Sequence, residues 1–136
     1  MASLINQSDK VAFYASVYPL SLISNFQYDM CMYGKLIKTY YNFEKEEDVN
    51  FTENDMLIIV SYTGTHITTR SDLFKKISFT KAKKIIISQR DYDNQKIENV
   101  AKTITLPNKR DCVESNYLLM LLFDLVRYYY IQEYCI

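Results

Sequence analysis

The stretch LIIVSYTGTHITT, Leu57 to Thr69, runs an apolar segment into a hydroxyl-rich turn around Gly64, one of only two glycines in the 136-residue chain. Ser61, Thr63 and Thr65 supply hydroxyl donors there, and His66 supplies a ring nitrogen. Where a strand turns straight into a helix, about four backbone N–H groups lack intrahelical partners. Together with the helix dipole they favour an anion. Gly64 lets the backbone approach a ligand closely, or take a positive φ if the turn needs it. This is chemistry suited to a phosphate or a carboxylate. The spacing matches neither the GxxxxGK[ST] loop nor GxGxxG. The same residues also suit a plain structural role, with Thr63 or Thr65 capping the helix and Gly64 making the turn. Local chemistry leaves both readings open.

A cradle of this kind needs a buried strand beneath it. DMLIIVS (Asp55–Ser61) is apolar throughout, as a parallel strand covered on both faces should be. Around it, short apolar runs alternate with amphipathic stretches. KVAFYA (Lys10–Ala15), LIKTYY (Leu36–Tyr41), AKKIIIS (Ala82–Ser88) and TITL (Thr103–Leu106) read as the other strands. A helix is expected from Leu20 to Gly34, with Pro19 near its start and Gly34 at its end. HITTRSDLFKKISF reads as a second helix with Ile67, Leu73, Phe74 and Ile77 inward. YDNQKIENVAK reads as a short third, and ESNYLLMLLFDLVRYYYIQEY as a long closing helix. Strands alternating with helices predict an α/β unit with a parallel sheet and right-handed crossovers. Ligands in such folds bind past the carboxyl ends of the strands, where Ser61 to His66 fall.

The length allows one domain with a real core. Formal net charge is zero, so no global field favours nucleic acid or membrane. Charge is nevertheless uneven. Residues 44–55 hold six acids against Lys45, and residues 75–110 hold ten bases against Asp91, Asp93 and Glu98. The basic half could attract an anion, or it could simply be solvated helix faces and strand starts. Cys31, Cys112 and Cys135 show no CxxC spacing and read as reduced thiols of a cytoplasmic protein. The apolar run Tyr117–Phe123 is too short to span a bilayer. His66 is the only histidine, so no histidine pair is available for a metal site, and neither a metal nor a cofactor is expected.

DMLIIVSYTGTH resembles the core motif of the sugar isomerase (SIS) domain, in which an Asp precedes an apolar strand ending in Ser-x-Ser-Gly-x-Thr. KKIIISQ and IENVAKTITLP resemble the later strands of that family. ESNYLLMLLFDLV resembles the closing helix of SIS domains in RpiR-type transcriptional regulators. The resemblance runs from Lys10 to about Tyr130. It implies a three-layer αβα sandwich with a five-stranded parallel sheet of flavodoxin-like order, and one SIS domain over residues 1–136. It implies binding of a phosphorylated sugar, with Ser61 and Thr63 as phosphate-binding hydroxyls and Gly64 as the motif glycine. His66 stands where the motif has Thr. Thr65, Ser16, Ser88 and Glu114 complete the expected ligand set.

Three departures shape the functional expectation. The loop after the first strand, glycine-rich in the family, is YASVYPLS here, and Ala15, Val17 and Tyr18 would crowd a sugar phosphate. Ser16 or Ser21 could compensate by a shifted register. Thr68 stands where SIS isomerases place a carboxylate, and a general base must lie within hydrogen-bond reach of its proton. Glu114 is the one carboxylate placed by analogy, and it equally suits the N-terminal charge of a helix. No catalytic residue is therefore assigned and no enzyme is expected. Nine residues precede the first strand, so a DNA-reading helix-turn-helix would belong to a separate N-terminal domain. The expectation is a sugar-phosphate effector domain of an RpiR-type regulator, homodimeric and cytoplasmic. The alternatives are a dimerisation module with a degraded site and, less favoured, a phosphosugar isomerase. Tyr128, Tyr129 and Tyr130 mark the candidate dimer surface.

Overall fold

The computed structural model describes residues 1–41, 50–62, 72–89, 97–107 and 113–136. Five parallel strands form one sheet in the order β2-β1-β3-β4-β5. They are β1 (Val11–Ala15), β2 (Ile37–Tyr41), β3 (Met56–Val60), β4 (Lys83–Ser88) and β5 (Val100–Thr105). This is the flavodoxin-like order. β1 and β3 are buried along their whole length, which is why their sequences are apolar without alternation.

Helices cover both faces. On one side lie α1 (Ala2–Gln7), α2 (Val17–Leu22), α3 (Ser24–Met32) and the closing helix α5 (Val113–Tyr134). They pack on Val11, Phe13, Met56, Ile58, Ile85 and Ile87. The centre of this layer is aromatic: Phe13 meets Phe123 at 5.2 Å between ring centroids, and Phe123 meets Phe26 at 5.0 Å. On the other side α4 (Asp72–Phe79) sets Ile77 against Leu57, Ile59 and Ile86. Of the residues expected inward on this helix, Ile67 lies outside the described residues.

The expected first helix divides in two at Ile23. Ser21 Oγ donates to Tyr18 O at 2.6 Å and Ser24 Oγ to Ser21 O at 2.9 Å, and such back-bonding bends a helix. Pro19 is the third residue of α2, where its missing N–H has no intrahelical role. Gly34, at φ 82°, closes α3: its N–H donates to Cys31 O at 3.0 Å and Lys35 N–H to Met30 O at 2.8 Å. That pair of bonds is the Schellman arrangement, which needs a left-handed residue.

Two further differences have local causes. Val100–Lys102, expected in a helix, belong to β5, because pairing with β4 provides backbone partners the helix would not. The turn ahead of it carries Asn99 at φ 59°, and a register shift sits at Lys84/Ile85. α1 is an element the sequence does not announce; it packs on α5 through fully buried Ile5.

Candidate functional site

β1, β3, β4 and β5 each end in, or lead into, a hydroxyl residue at the carboxyl edge of the sheet. The last paired residues of β1 and β3 are Tyr14 and Ile59, and Ser16 and Ser61 each stand two positions beyond. β3 and β4 pair through Val60 and Ile87, so Ser61 and Ser88 are next in register, and Ser88 pairs with Thr105 of β5. The result is a row of hydroxyls across four neighbouring strands. It spans the place where β1 has β2 on one side and β3 on the other, the switch point of the topology.

Ser61 is 2% exposed, and its N–H donates to Ile87 O at 2.9 Å. Its Oγ has no hydrogen-bond partner among the described residues. A buried hydroxyl without a partner is unfavourable by about 1–3 kcal/mol unless something satisfies it. Ser88 is fully buried and its Oγ donates to Tyr62 O at 3.4 Å. Ser16 is partly exposed as the residue before α2, and its side chain makes no capping bond to that helix. Glu114 is exposed in the first turn of α5. Of the expected ligand set, Ser16, Ser61, Ser88 and Glu114 are thus gathered at one edge. Thr63, Gly64, Thr65 and His66 lie outside the described residues, as does Thr68.

Residues the sequence did not single out brace this edge. Gln89 is buried, its N–H donates to Tyr62 O at 3.0 Å, and its Nε2 donates to Ser115 Oγ at 2.8 Å. Ser115 Oγ in turn donates to Pro107 O at 3.2 Å. The first turn of α5 is thereby fixed to the ends of β4 and β5. Asn116 Nδ2 donates to Tyr18 OH at 3.4 Å, while Asn116 Oδ1 is buried without a partner among the described residues. Tyr18 is 57% exposed, so it does not fill the edge; it reaches across the rim to α5. Gln89 follows the apolar run of β4 as Ser61 follows that of β3. Position after a buried strand is the signal that could have found it.

Two expectations change at the other end of the molecule. Asp55, which opens the motif, is structural. Its buried carboxylate accepts from Lys10 N–H at 3.1 Å and Thr52 N–H at 2.8 Å, holding the starts of β1 and β3 together. Lys84, counted among solvated bases, is fully buried. Its ammonium donates to Thr80 O at 2.7 Å, Glu98 O at 2.8 Å and Ala82 O at 3.2 Å. Burial lowers its pKa to about 8, with Glu98 pulling the other way. Tyr130 is also reassigned, because it is 5% exposed in the core with Phe123 and Val126. Tyr128 and Tyr129 remain on the exposed side.

Among the described residues no group of three or more His, Cys, Asp or Glu could hold a metal ion. No helix among them is long and apolar enough to cross a membrane.

No family model matches the sequence, and no curated protein matches it. Solved structures do match. A protein of E. coli CFT073 in complex with a phosphosugar aligns with TM-score 0.71 at 13% identity, over 96% of this chain and 74% of the other. The sugar isomerase domain of an RpiR transcription factor from Sphaerobacter thermophilus aligns with TM-score 0.60 at 12% identity, over 96% and 74%. Vibrio vulnificus NanR complexed with ManNAc-6P aligns with TM-score 0.64 at 9% identity, over 98% of this chain and 52% of NanR. The shared feature at these identities is the fold.

Proposed function

We propose that this chain, which has the fold of the sugar isomerase domain, binds a phosphorylated sugar at the carboxyl ends of β1, β3 and β4. In this reading it is the cytoplasmic effector domain of an RpiR-type transcriptional regulator of carbohydrate metabolism. The observation that carries the ligand claim is Ser61 Oγ, buried at the switch point with no partner among the described residues and flanked in register by Ser88. A phosphate oxygen would satisfy it, with Thr63, Thr65 and the amides beside Gly64 as further donors. Fold neighbours solved with ManNAc-6P and with a second phosphosugar support the ligand class.

Binding without turnover is part of the proposal. Thr68 replaces the carboxylate expected of an isomerase, and the exposed Glu114 suits the positive end of α5. DNA would be read through a separate N-terminal domain. The ligand would act by binding two dimer geometries with different affinity, since only that difference shifts the equilibrium. The dimer surface is the outer face of α5. Tyr117, Leu118, Leu121, Leu125, Tyr128 and Tyr129 are all exposed there, opposite buried Leu119, Phe123 and Val126. A helix apolar all round is normally buried. Those six side chains expose roughly 700 Å², close to the ~800 Å² per partner of a standard interface.

A second reading is favoured by one contact. The Asn116–Tyr18 bond closes the rim where the family keeps glycines, as in a dimerisation module that has lost its ligand. Isothermal titration with a panel of pentose, hexose and amino-sugar phosphates, ManNAc-6P among them, separates the cases when run alongside an assay for sugar isomerisation. The proposal predicts saturable binding and no product. No heat with any phosphosugar favours the dimerisation module, and turnover lost in Glu114→Gln favours an isomerase.

A further inference from the structure

The amino ends of β1 and β2 enclose a second cavity, at the opposite end of the sheet from the hydroxyl row. Its volume is about 530 Å³, within the range of small-molecule sites. Val11, Leu36, Tyr40 and Phe51 give it an apolar wall, and the Tyr40 and Phe51 rings meet edge to face at 6.0 Å between centroids. Leu36 is 76% exposed at its mouth, an apolar side chain with little of its surface covered.

The charged lining is one-sided: Lys10, Lys35 and Lys38 against Asp9. Two of these cations are positioned. Lys35 Nζ donates to the carbonyls of Ser8 and Asn6, and burial lowers its pKa against the opposing pull of Asp9. Lys38 Nζ stands 4.8 Å from the centre of the Tyr40 ring. A partly desolvated ammonium beside a low-polarity wall gains more from an anion than a fully hydrated one does.

We propose that this cavity binds a small aromatic anion, its ring against Leu36, Phe51 and the edge of Tyr40 and its charged group between the lysines. Phosphate and carboxylate share the required chemistry. A nucleoside monophosphate and an aromatic acid are the two sources. The site is independent of the carboxyl-edge reading, because it shares no residue with it.

Ligand-observed NMR and equilibrium dialysis of the full chain test this with AMP, 4-hydroxybenzoate, adenosine and inorganic phosphate as probes. The proposal expects saturable binding of AMP or 4-hydroxybenzoate, with the preferred one naming the source. Binding should weaken at least tenfold in Lys10→Gln/Lys38→Gln and severalfold in Phe51→Leu, while Ser61→Ala leaves it unchanged. Lys10 and Lys38 are exposed, so the double variant is expected to fold, and its melting temperature checks that it does. Absence of saturation by either aromatic anion up to about 5 mM, a range covering weak sites, would overturn the proposal. So would adenosine or inorganic phosphate binding as tightly as AMP, or loss of binding in Ser61→Ala.

Discussion

Gln89 Nε2 donates to Ser115 Oγ at 2.8 Å, joining the residue that follows β4 to the first turn of the closing helix, with both side chains buried. Because Ser115 passes the bond on to Pro107 O, the ends of two strands and the start of α5 move as one unit. A binding edge needs that rigidity, since hydroxyls act on a phosphate only when held in place. Gln89→Ala should lower the unfolding free energy by about 1–3 kcal/mol. Urea denaturation checks this; an unchanged midpoint would show that the bond contributes nothing.

Asp55 makes a parallel case at the amino edge. Its carboxylate accepts two backbone N–H groups, from Lys10 and Thr52. Asp55→Ala leaves both donors without that acceptor and should destabilise the fold by about 2–4 kcal/mol. Asp55→Asn keeps one acceptor oxygen and should be milder. Equal losses in the two variants, measured by the same denaturation, would contradict this role.

The sheet was legible because its strands are contiguous apolar runs. VAFYA, MLIIV and KKIIIS could be bounded to within a residue or so, and their continuity pointed to parallel pairing. What was missed depends on contacts distant in sequence. Val100 to Lys102 join a strand only because β4 is there to pair with them. α1, six residues long, rests on packing against α5 that its own sequence does not announce. Lys84 looks like any lysine at a strand start until three carbonyls converge on it. At the site, Ser16, Ser61 and Ser88 could be picked out because they end strands. Asn116 and Ser115 matter only through partners on other elements.

Lys84 gives a pH-dependent prediction. Its folded pKa is lowered from 10.5 to about 8. Below the folded value both states carry the proton. Between the two values the unfolded chain binds more protons, so this group's contribution to stability rises with pH across that window. Lys84→Met lacks this contribution and leaves three carbonyls without the ammonium, at a cost of about 1–3 kcal/mol near neutral pH. The gap between wild type and variant should widen from about pH 7 to about pH 10. Denaturation midpoints at the two pH values measure it, and a constant gap would mean that Lys84 titrates normally.

The exposed face of α5 predicts the assembly. Leu121→Glu/Leu125→Glu places two carboxylates in the proposed interface without touching the buried stripe of Leu119, Phe123 and Val126. Light scattering should give a dimer for wild type and a monomer for the variant, with melting temperature changed little beyond the loss of association. A wild-type monomer at about 100 μM, well above the dissociation constant of a standard interface, would remove the dimer from the account.

The central claim is that the hydroxyls past β3 hold a phosphate. The most direct measurement is the thermal shift of wild type, Ser61→Ala and Thr63→Val with a phosphosugar and with the same sugar lacking its phosphate. The account predicts stabilisation of wild type by the phosphorylated sugar alone, reduced in both variants by a loss of affinity of about tenfold, or ~1.4 kcal/mol. Equal shifts with and without the phosphate, or wild-type shifts in both variants, would contradict it.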